Sequence, residues 1–266
     1  MKTTIWKQSL AVVAISFAAN SAYAGNFVSI LNNGDRTPGS TNSTTTDPFF
    51  ISTLPISWTQ LATATSDVFS PVNGNVVGSF IDTVWFESSS NSYIIGSYFK
   101  MLNNTNGITE INSIVRSGFS EIGETGTISA AWTSGFTAYG SGTTGYRLRD
   151  PSRSDYKATY VAGASTNFDA DKVAIRTDVA LNENNPNSGL YLLKVDATGL
   201  TYEWTANAVH IVQGASAQEG ARIRQDMFLG GFALTAVTAV PEAETYAMMM
   251  AGLALIGTIV RRRKSA

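Results

Sequence analysis

The segment VVGSFIDTVWFE, residues 76–87, is the clearest β-strand signal in the chain. β-Branched and aromatic residues fill it, and it partly alternates between apolar and polar positions, which is typical of a half-buried strand. The segment SYIIGSYFKML, residues 92–102, is a second such run, and the intervening Ser-Ser-Ser-Asn-Ser is rich in turn-forming residues. Together the two segments predict a β-hairpin.

Similar runs continue along the chain and predict an all-β fold. They occupy residues 49–58, 127–139, 172–181, 189–197, 200–213 and 227–237. The Gly-bearing stretch DATGL, residues 196–200, predicts a hairpin between two of them. The absence of a fixed-period repeat argues against a solenoid or a propeller. We predict that residues 49–238 form a single β-sandwich of jelly-roll type.

One segment has a helical rather than a strand pattern. This segment is TEINSIVRSG, residues 109–118, followed by Phe119. Its apolar residues recur at helical spacing: Ile111, Ile114, Val115 and Phe119. Thr109 is a suitable N-cap and Gly118 a suitable C-cap. These features predict one short helix packed on a sheet.

Composition and charge exclude several classes of function. The chain has 266 residues, a net charge of −2, one histidine and no cysteine. Its two ends hold six of the cationic residues, so residues 25–238 carry about −6 and no basic stripe, which argues against nucleic-acid binding. The inventory also excludes a cysteine nucleophile, a cysteine zinc site and a multi-histidine metal site.

The N-terminus has the three parts of a secretory signal peptide. Lys2 and Lys7 precede an apolar run at residues 10–19, and Ala22-Tyr23-Ala24 is an A-x-A cleavage site. We predict a signal peptide at residues 1–24, cut by signal peptidase between Ala24 and Gly25. Residues 25–48 are rich in turn formers and predict a flexible segment.

The C-terminus ends in a short apolar run and a cationic cluster. Residues 246–260 carry no charge, and residues 261–264 are Arg-Arg-Arg-Lys. A helix of that apolar length spans about 22 Å, short of the roughly 30 Å hydrocarbon core. The pattern predicts a short transmembrane-type helix whose basic end stays in the cytoplasm.

The order of features in residues 239–266 resembles the PEP-CTERM sorting signal. Pro241-Glu242, a polar spacer, the Ala251-Gly252-Leu253 centre and the terminal arginines carry the resemblance, with Ala243 where the motif has proline. It implies an exported protein of a Gram-negative bacterium that makes exopolysaccharide. The implied partner is an exosortase, a membrane-embedded cysteine transpeptidase. The implied sorting residues are Pro241, Glu242, Arg261, Arg262 and Arg263.

The stretch NFDADKVAIRTD, residues 167–178, has partial calcium-loop spacing. Its oxygen ligands fall at positions 1, 3, 5 and 12 of such a loop: Asn167, Asp169, Asp171 and Asp178. Lys172 occupies the position of the usual glycine, and its charge opposes a cation. The alternative is an acidic turn that leads into a strand.

Other residues could carry chemistry, and each has a structural alternative. The carboxylates in apolar surroundings, which a glycosidase would need in pairs, are Asp82, Glu87, Asp178 and Glu203. The tryptophans that could stack on sugar rings are Trp58, Trp85, Trp132 and Trp204. His210 lies in a predicted strand, and no G-x-S-x-G motif accompanies it. The charged stretch at residues 146–157 predicts a solvated loop with weak local ion pairs.

These observations predict an exported protein of the cell surface or extracellular matrix, held at the inner membrane as an intermediate and processed by an exosortase. We expect a non-enzymatic structural or adhesive role linked to exopolysaccharide and biofilm, without a cofactor other than a weakly indicated Ca²⁺. The alternatives are an anchored carbohydrate-active enzyme and an adhesin that binds carbohydrate or calcium.

Overall fold

A computed structural model describes residues 27–35, 48–102, 108, 110–134, 149–154, 168–181, 185–214, 224–237 and 247–256. These residues form eleven strands: β1 (Val28–Ser29), β2 (Trp58–Phe69), β3 (Val76–Glu87), β4 (Ser92–Met101), β5 (Glu110–Arg116), β6 (Ser129–Thr133), β7 (Arg149–Ser152), β8 (Val173–Ala180), β9 (Leu190–Asp196), β10 (Leu200–Gln213) and β11 (Gln225–Ala236). A 3₁₀ turn, Ser120–Ile122, lies between β5 and β6.

The strands form two antiparallel sheets. Sheet A has the order β1-β6-β9-β4-β3-β2, and sheet B has the order β11-β10-β5-β8-β7. The predicted all-β fold is confirmed, and so is the β3–β4 hairpin, whose register runs from Gly78 opposite Met101 to Glu87 opposite Ser92. Because β2, β3 and β4 form a meander within sheet A, the order gives no support to the predicted jelly-roll arrangement.

One apolar core lies between the sheets. Sheet A contributes Phe80, Phe99 and Leu193, and sheet B contributes Ile114 and Ile211 to the same buried cluster. Each is exposed by at most 1%. A face shared by two sheets explains why alternate positions of their strands are apolar.

A second, smaller cluster covers the outer face of sheet A. Trp85, Ile94 and Leu192 pack there against Ile51, from the segment before β2, and Trp58, the first residue of β2. Trp85 also closes over Gly96, where an added Cβ would meet the indole Cζ3 at 2.4 Å. Sheet A is therefore apolar on both faces at its centre, which explains why β3 and β4 alternate only partly.

The predicted helix at residues 109–118 is wrong, because residues 110–116 form strand β5. β5 pairs with β10 on one side and with β8 on the other. Both of its faces are buried, so Ile111, Ile114 and Val115 do not show the period-2 alternation that identifies a half-exposed strand. Gly118 has a φ of +99° but follows a strand instead of capping a helix.

The predicted hairpin at residues 196–200 is also wrong. A turn does form, because the N–H of Leu200 donates to the carbonyl of Ala197 at 3.0 Å and Gly199 has a φ of +71°. However, β9 pairs with β4 and β6 in sheet A, whereas β10 pairs with β5 and β11 in sheet B. The turn therefore carries the chain from one sheet to the other.

Two segments near the N-terminus differ from their predictions. Residues 49–58 form no strand except for a bridge between Phe50 and Trp132, and the long strand β2 begins only at Trp58. Residues 27–35, predicted as part of a flexible segment, include β1, in which Val28 lies opposite Ala130, and the buried Ile30. The β-sheet body therefore begins before residue 49.

The prediction of a transmembrane helix at residues 246–260 is not supported. The described helix covers residues 247–256, which are exposed along their whole length and rise only about 15 Å. Among the residues that the structure describes, no helix is both long enough and apolar enough to cross a membrane.

Candidate functional site

A buried ion pair joins the two sheets. Arg116 of β5 and Asp82 of β3 are both almost fully buried, and the distance from Arg116 Nη1 to Asp82 Oδ1 is 2.5 Å. The same Nη1 donates to Ser97 Oγ at 3.0 Å. Each charge therefore has partners on the opposite sheet, as a buried charge requires.

The ion pair also binds the backbone of β11. The N–H of Phe232 donates to Asp82 Oδ2 at 2.7 Å, and Arg116 Nη2 donates to the carbonyl of Phe232 at 2.5 Å. Side chains thus satisfy the two backbone groups that a neighbouring strand would otherwise bind. Gly231 makes the approach possible, because an added Cβ would lie 2.9 Å from Asp82 Oδ2.

The environment of this pair indicates a structural role. Burial raises the pKa of Asp82, while the charge and hydrogen bond of Arg116 and the N–H of Phe232 oppose that rise. A perturbed carboxyl can mark an active site, but only where substrate can reach it. Asp82 is 1% exposed and its oxygens already accept from Arg116 and Phe232.

A second polar cluster surrounds Glu87, the last residue of β3. Trp58 Nε1 donates to Glu87 Oε1 at 3.0 Å, and both Ser90 Oγ and Lys194 Nζ donate to Oε2. Burial acts to raise the pKa of Glu87, but the hydrogen bonds from Lys194, Ser90 and Trp58 lower it overall. Lys194 also lies 5.4 Å from the centre of the Phe27 ring.

An open groove of about 550 Å³ lies beside this cluster. Ser92 and Lys194 border it, and Glu121 and Asp196 contribute carboxylates. The remainder of its lining is mainly small and hydroxyl-bearing: Thr125, Gly126, Thr127, Ser129 and Thr198, with Ile122, Val195 and Leu200. The four carboxylates chosen from the sequence are absent from the lining, so the groove does not bring them together.

Besides Asp82 and Glu87, the carboxylates predicted from the sequence are Asp178 on β8 and Glu203 on β10. They lie on different strands of sheet B, and Glu203 is exposed. Asp82 and Glu87 share strand β3 but contact different partners, Arg116 and Lys194 respectively.

His210 lies in a network on sheet B. Its Nε2 is 2.6 Å from Asp226 Oδ1, and Arg224 donates to both oxygens of Asp226 at 2.8 and 2.6 Å. The imidazole stacks on the exposed Phe228, with ring centres 4.3 Å apart. Burial lowers the pKa of His210, although Asp226 acts to raise it. A Ser-His-Asp site would require a serine hydroxyl hydrogen-bonded to the histidine, and no such contact to His210 occurs among the described residues.

The calcium-loop residues have other partners. Asp171 Oδ1 accepts from the backbone N–H groups of Gly118, Phe119 and Ser120 at 3.0–3.1 Å. Asp169 pairs with Lys172 at 2.8 Å, and Asp178 lies within β8. Asn167 is outside the described residues. Within the described part of the chain, no group of three or more His, Cys, Asp or Glu side chains could hold a metal ion.

The four tryptophans divide into two classes. Trp58, Trp85 and Trp132 are buried, whereas Trp204 is 47% exposed. The Trp204 ring lies against Gly230, where an added Cβ would meet Cζ2 at 2.6 Å, and edge-on to Phe232 with ring centres 5.2 Å apart. Trp204 is therefore the one member of the set with substantial exposure.

Arg153 is a buried residue that sequence reasoning placed in a solvated loop. Its guanidinium donates to the carbonyls of Gly123, Gly126 and Ala170 at 2.8, 3.1 and 2.7 Å and to Asn32 Oδ1 at 3.2 Å. Burial lowers its pKa. The arginine connects segments distant in sequence, so a local charge count could not identify its role.

The predicted processing residues lie outside the described residues: Ala24, Gly25, Pro241, Glu242, Arg261, Arg262 and Arg263. Comparison with known families nevertheless identifies the tail. Residues 239–264 match the PEP-CTERM protein-sorting motif. This motif implies an exported protein that is processed by an exosortase. No curated protein and no solved structure matches the chain.

Proposed function

We propose that this protein is an exosortase substrate whose β-sheet body has a non-enzymatic, structural or adhesive role at the cell surface or in the extracellular matrix. The observation that carries the proposal is the PEP-CTERM motif at residues 239–264. In this account, signal peptidase cuts between Ala24 and Gly25, and the exosortase acts near Pro241-Glu242. The exosortase recognises the arginines at 261–263, which have no catalytic role themselves.

The contacts of the body support a role without catalysis. Asp82 and Glu87 accept hydrogen bonds from side chains and backbone of the same chain, and Asp171 holds the start of the 3₁₀ turn. Such carboxylates stabilise the fold, because their oxygens accept hydrogen bonds from groups of the same chain. The proposal invokes no cofactor, and it links the body to exopolysaccharide through surface contacts.

The sorting part is tested by the double substitution Pro241→Ala with Glu242→Ala in the producing bacterium. We expect the processed form to disappear from the intact-mass spectrum while the body remains folded. Glu244→Ala in the spacer is the matched control, because it removes a nearby carboxylate and leaves Pro241-Glu242 intact. Normal processing of the double variant would contradict the role given to this dipeptide.

The adhesive part rests on a separate observation, the exposure of Trp204. An indole held against a glycine and a phenylalanine can present its free face to a sugar ring. We expect Trp204→Ala to weaken binding to exopolysaccharide purified from the producing bacterium. Phe228→Ala, which removes another exposed aromatic ring, is the control. Unchanged binding by the Trp204 variant would favour a purely structural role.

A further inference from the structure

The two sheets have four edge strands, and three of them are short or blocked. β1 has 2 residues and β7 has 4, and short edge strands give little backbone for another chain to pair with. β11 is long, but the Asp82–Arg116 pair binds the N–H and carbonyl of Phe232. The fourth edge, β2, differs from all three.

β2 is a long edge strand with exposed side chains on the outer face of sheet A, while β11 of sheet B lies close to it. It has 12 residues, WTQLATATSDVF, with no lysine, arginine or proline and a single charge, on Asp67. Alternate residues from Leu61 to Phe69 are exposed, and Phe69 is 53% exposed. β2 pairs with β3, and no second strand partner occurs among the described residues. Natural proteins usually protect such edges with charge, proline or cover.

The regular part of β2 lies between two register shifts, at Gln60/Ala62 and Val68/Phe69. Residues 62–68 therefore pair with β3 without a register shift and form a regular strand. This stretch is made of small residues, alanine, threonine and serine, apart from Asp67 and Val68. Small side chains allow another strand to approach without displacing bulky groups.

We propose that β2 pairs antiparallel with β2 of a second copy of this chain, so that sheet A continues across a two-fold symmetric dimer. A two-fold axis through Thr65 places Thr65 opposite its copy and each Asp67 opposite the Thr63 of the other chain. The two Asp67 residues are then four positions apart along the strands, or about 14 Å. The one charge in β2 therefore lies opposite Thr63 and not opposite its own copy, so this two-fold register brings no like charges together.

The absence of cysteine from the chain permits a direct test. Thr65→Cys in the full chain, expressed in the producing bacterium and oxidised with copper phenanthroline, should give a disulfide-linked dimer. Residues directly opposite in an antiparallel pair have Cβ atoms about 4.5–5.5 Å apart, close to the separation that a disulfide needs. Thr53→Cys is the matched control, because Thr53 is exposed but lies in the segment before β2. Equal cross-linking of the two variants would overturn the proposal.

A second measurement separates pairing of copies from pairing with another protein. Thr65→Lys adds a charge at the proposed axis, so it should convert the dimer to monomer in sedimentation velocity of the native protein, whereas Thr53→Lys should not. Two results together would contradict pairing with a second copy. Thr65→Cys would form no disulfide-linked dimer, and Thr65→Lys would lose a different protein that sediments with the native chain. Neither experiment depends on tail processing, so the sorting proposal can fail separately.

Discussion

The β-sheet body and the C-terminal tail differ in where their charged and apolar groups lie. The body buries Asp82, Arg116 and Arg153 with hydrogen-bonded partners on distant segments. The described tail helix, residues 247–256, exposes its apolar side chains, including Leu253, Leu255 and Ile256. The body is thus stabilised by its own contacts, whereas the described tail helix leaves its apolar side chains at the surface. Stability and sorting should therefore respond to different substitutions.

The largest stability effect should follow loss of one member of the Asp82–Arg116 pair. Asp82→Ala or Arg116→Met leaves the other charge buried without its partner, which costs about 3–5 kcal/mol. Urea unfolding of the full chain at neutral pH measures the change in the free energy of unfolding. Glu203→Gln, at an exposed position of β10, is the control and should stay within about 0.5 kcal/mol.

The double variant Asp82→Leu with Arg116→Met sharpens this test. Replacing a buried ion pair by apolar residues is often neutral or stabilising. Here the N–H and carbonyl of Phe232 would lose their partners, and each unsatisfied buried group costs about 1–3 kcal/mol. We expect the double variant to remain destabilised. Stability equal to that of the native chain would contradict the role given to the pair at the β11 edge.

The next effect concerns the two tryptophan classes. Trp85→Ala removes a buried ring from the cluster on sheet A and should cost about 3–5 kcal/mol. Trp204→Ala removes a half-exposed ring and should cost about 1 kcal/mol, since less apolar area returns to water. Thermal unfolding of both variants checks the order. A larger loss for Trp204 would show that this ring stabilises the fold more than its exposure indicates.

Glu87 should make a pH-dependent contribution of smaller size. Its pKa is lowered in the folded protein from a usual value of 4.5, so the stabilisation is complete above that value and is lost as the pH falls through the folded pKa. Glu87→Gln should lower stability at neutral pH by about 1–3 kcal/mol. The difference between variant and native chain should shrink in acid. A difference that stayed constant with pH would contradict the charged hydrogen bonds of Glu87.

The smallest effect on stability is expected from the tail. Removal of the residues after 238 should change the free energy of unfolding of the body by no more than about 0.5 kcal/mol, because residues 247–256 are exposed. Differential scanning fluorimetry of the full and shortened chains in the same detergent provides the comparison. A lower melting temperature of the shortened chain would show that the tail packs on the body.

Sequence patterns located most strands but not their partners. The β3–β4 hairpin is local, so turn composition and alternation were sufficient to predict it. The DATGL turn has the same local signals, yet its two strands enter different sheets, because pairing with β4 and β11 determines their positions. β5 was mistaken for a helix because burial on both faces removes alternation. β2 was missed because its small polar residues resemble a loop.

The residues of the buried network could not be assigned from sequence for a related reason. Asp82 and Phe232 are 150 positions apart, and Arg153 binds groups as distant as Asn32. No local pattern encodes such contacts. The sorting motif is the opposite case. Its residues lie within 26 consecutive positions, so it can be identified from the sequence without knowledge of the fold.

The intact mass of the native protein, recovered from cells and from medium, tests the central claim most directly. The account predicts a form that begins at Gly25 and lacks the residues after about position 242. A form that begins at Gly25 and still ends at Ala266 in both fractions would contradict processing by an exosortase.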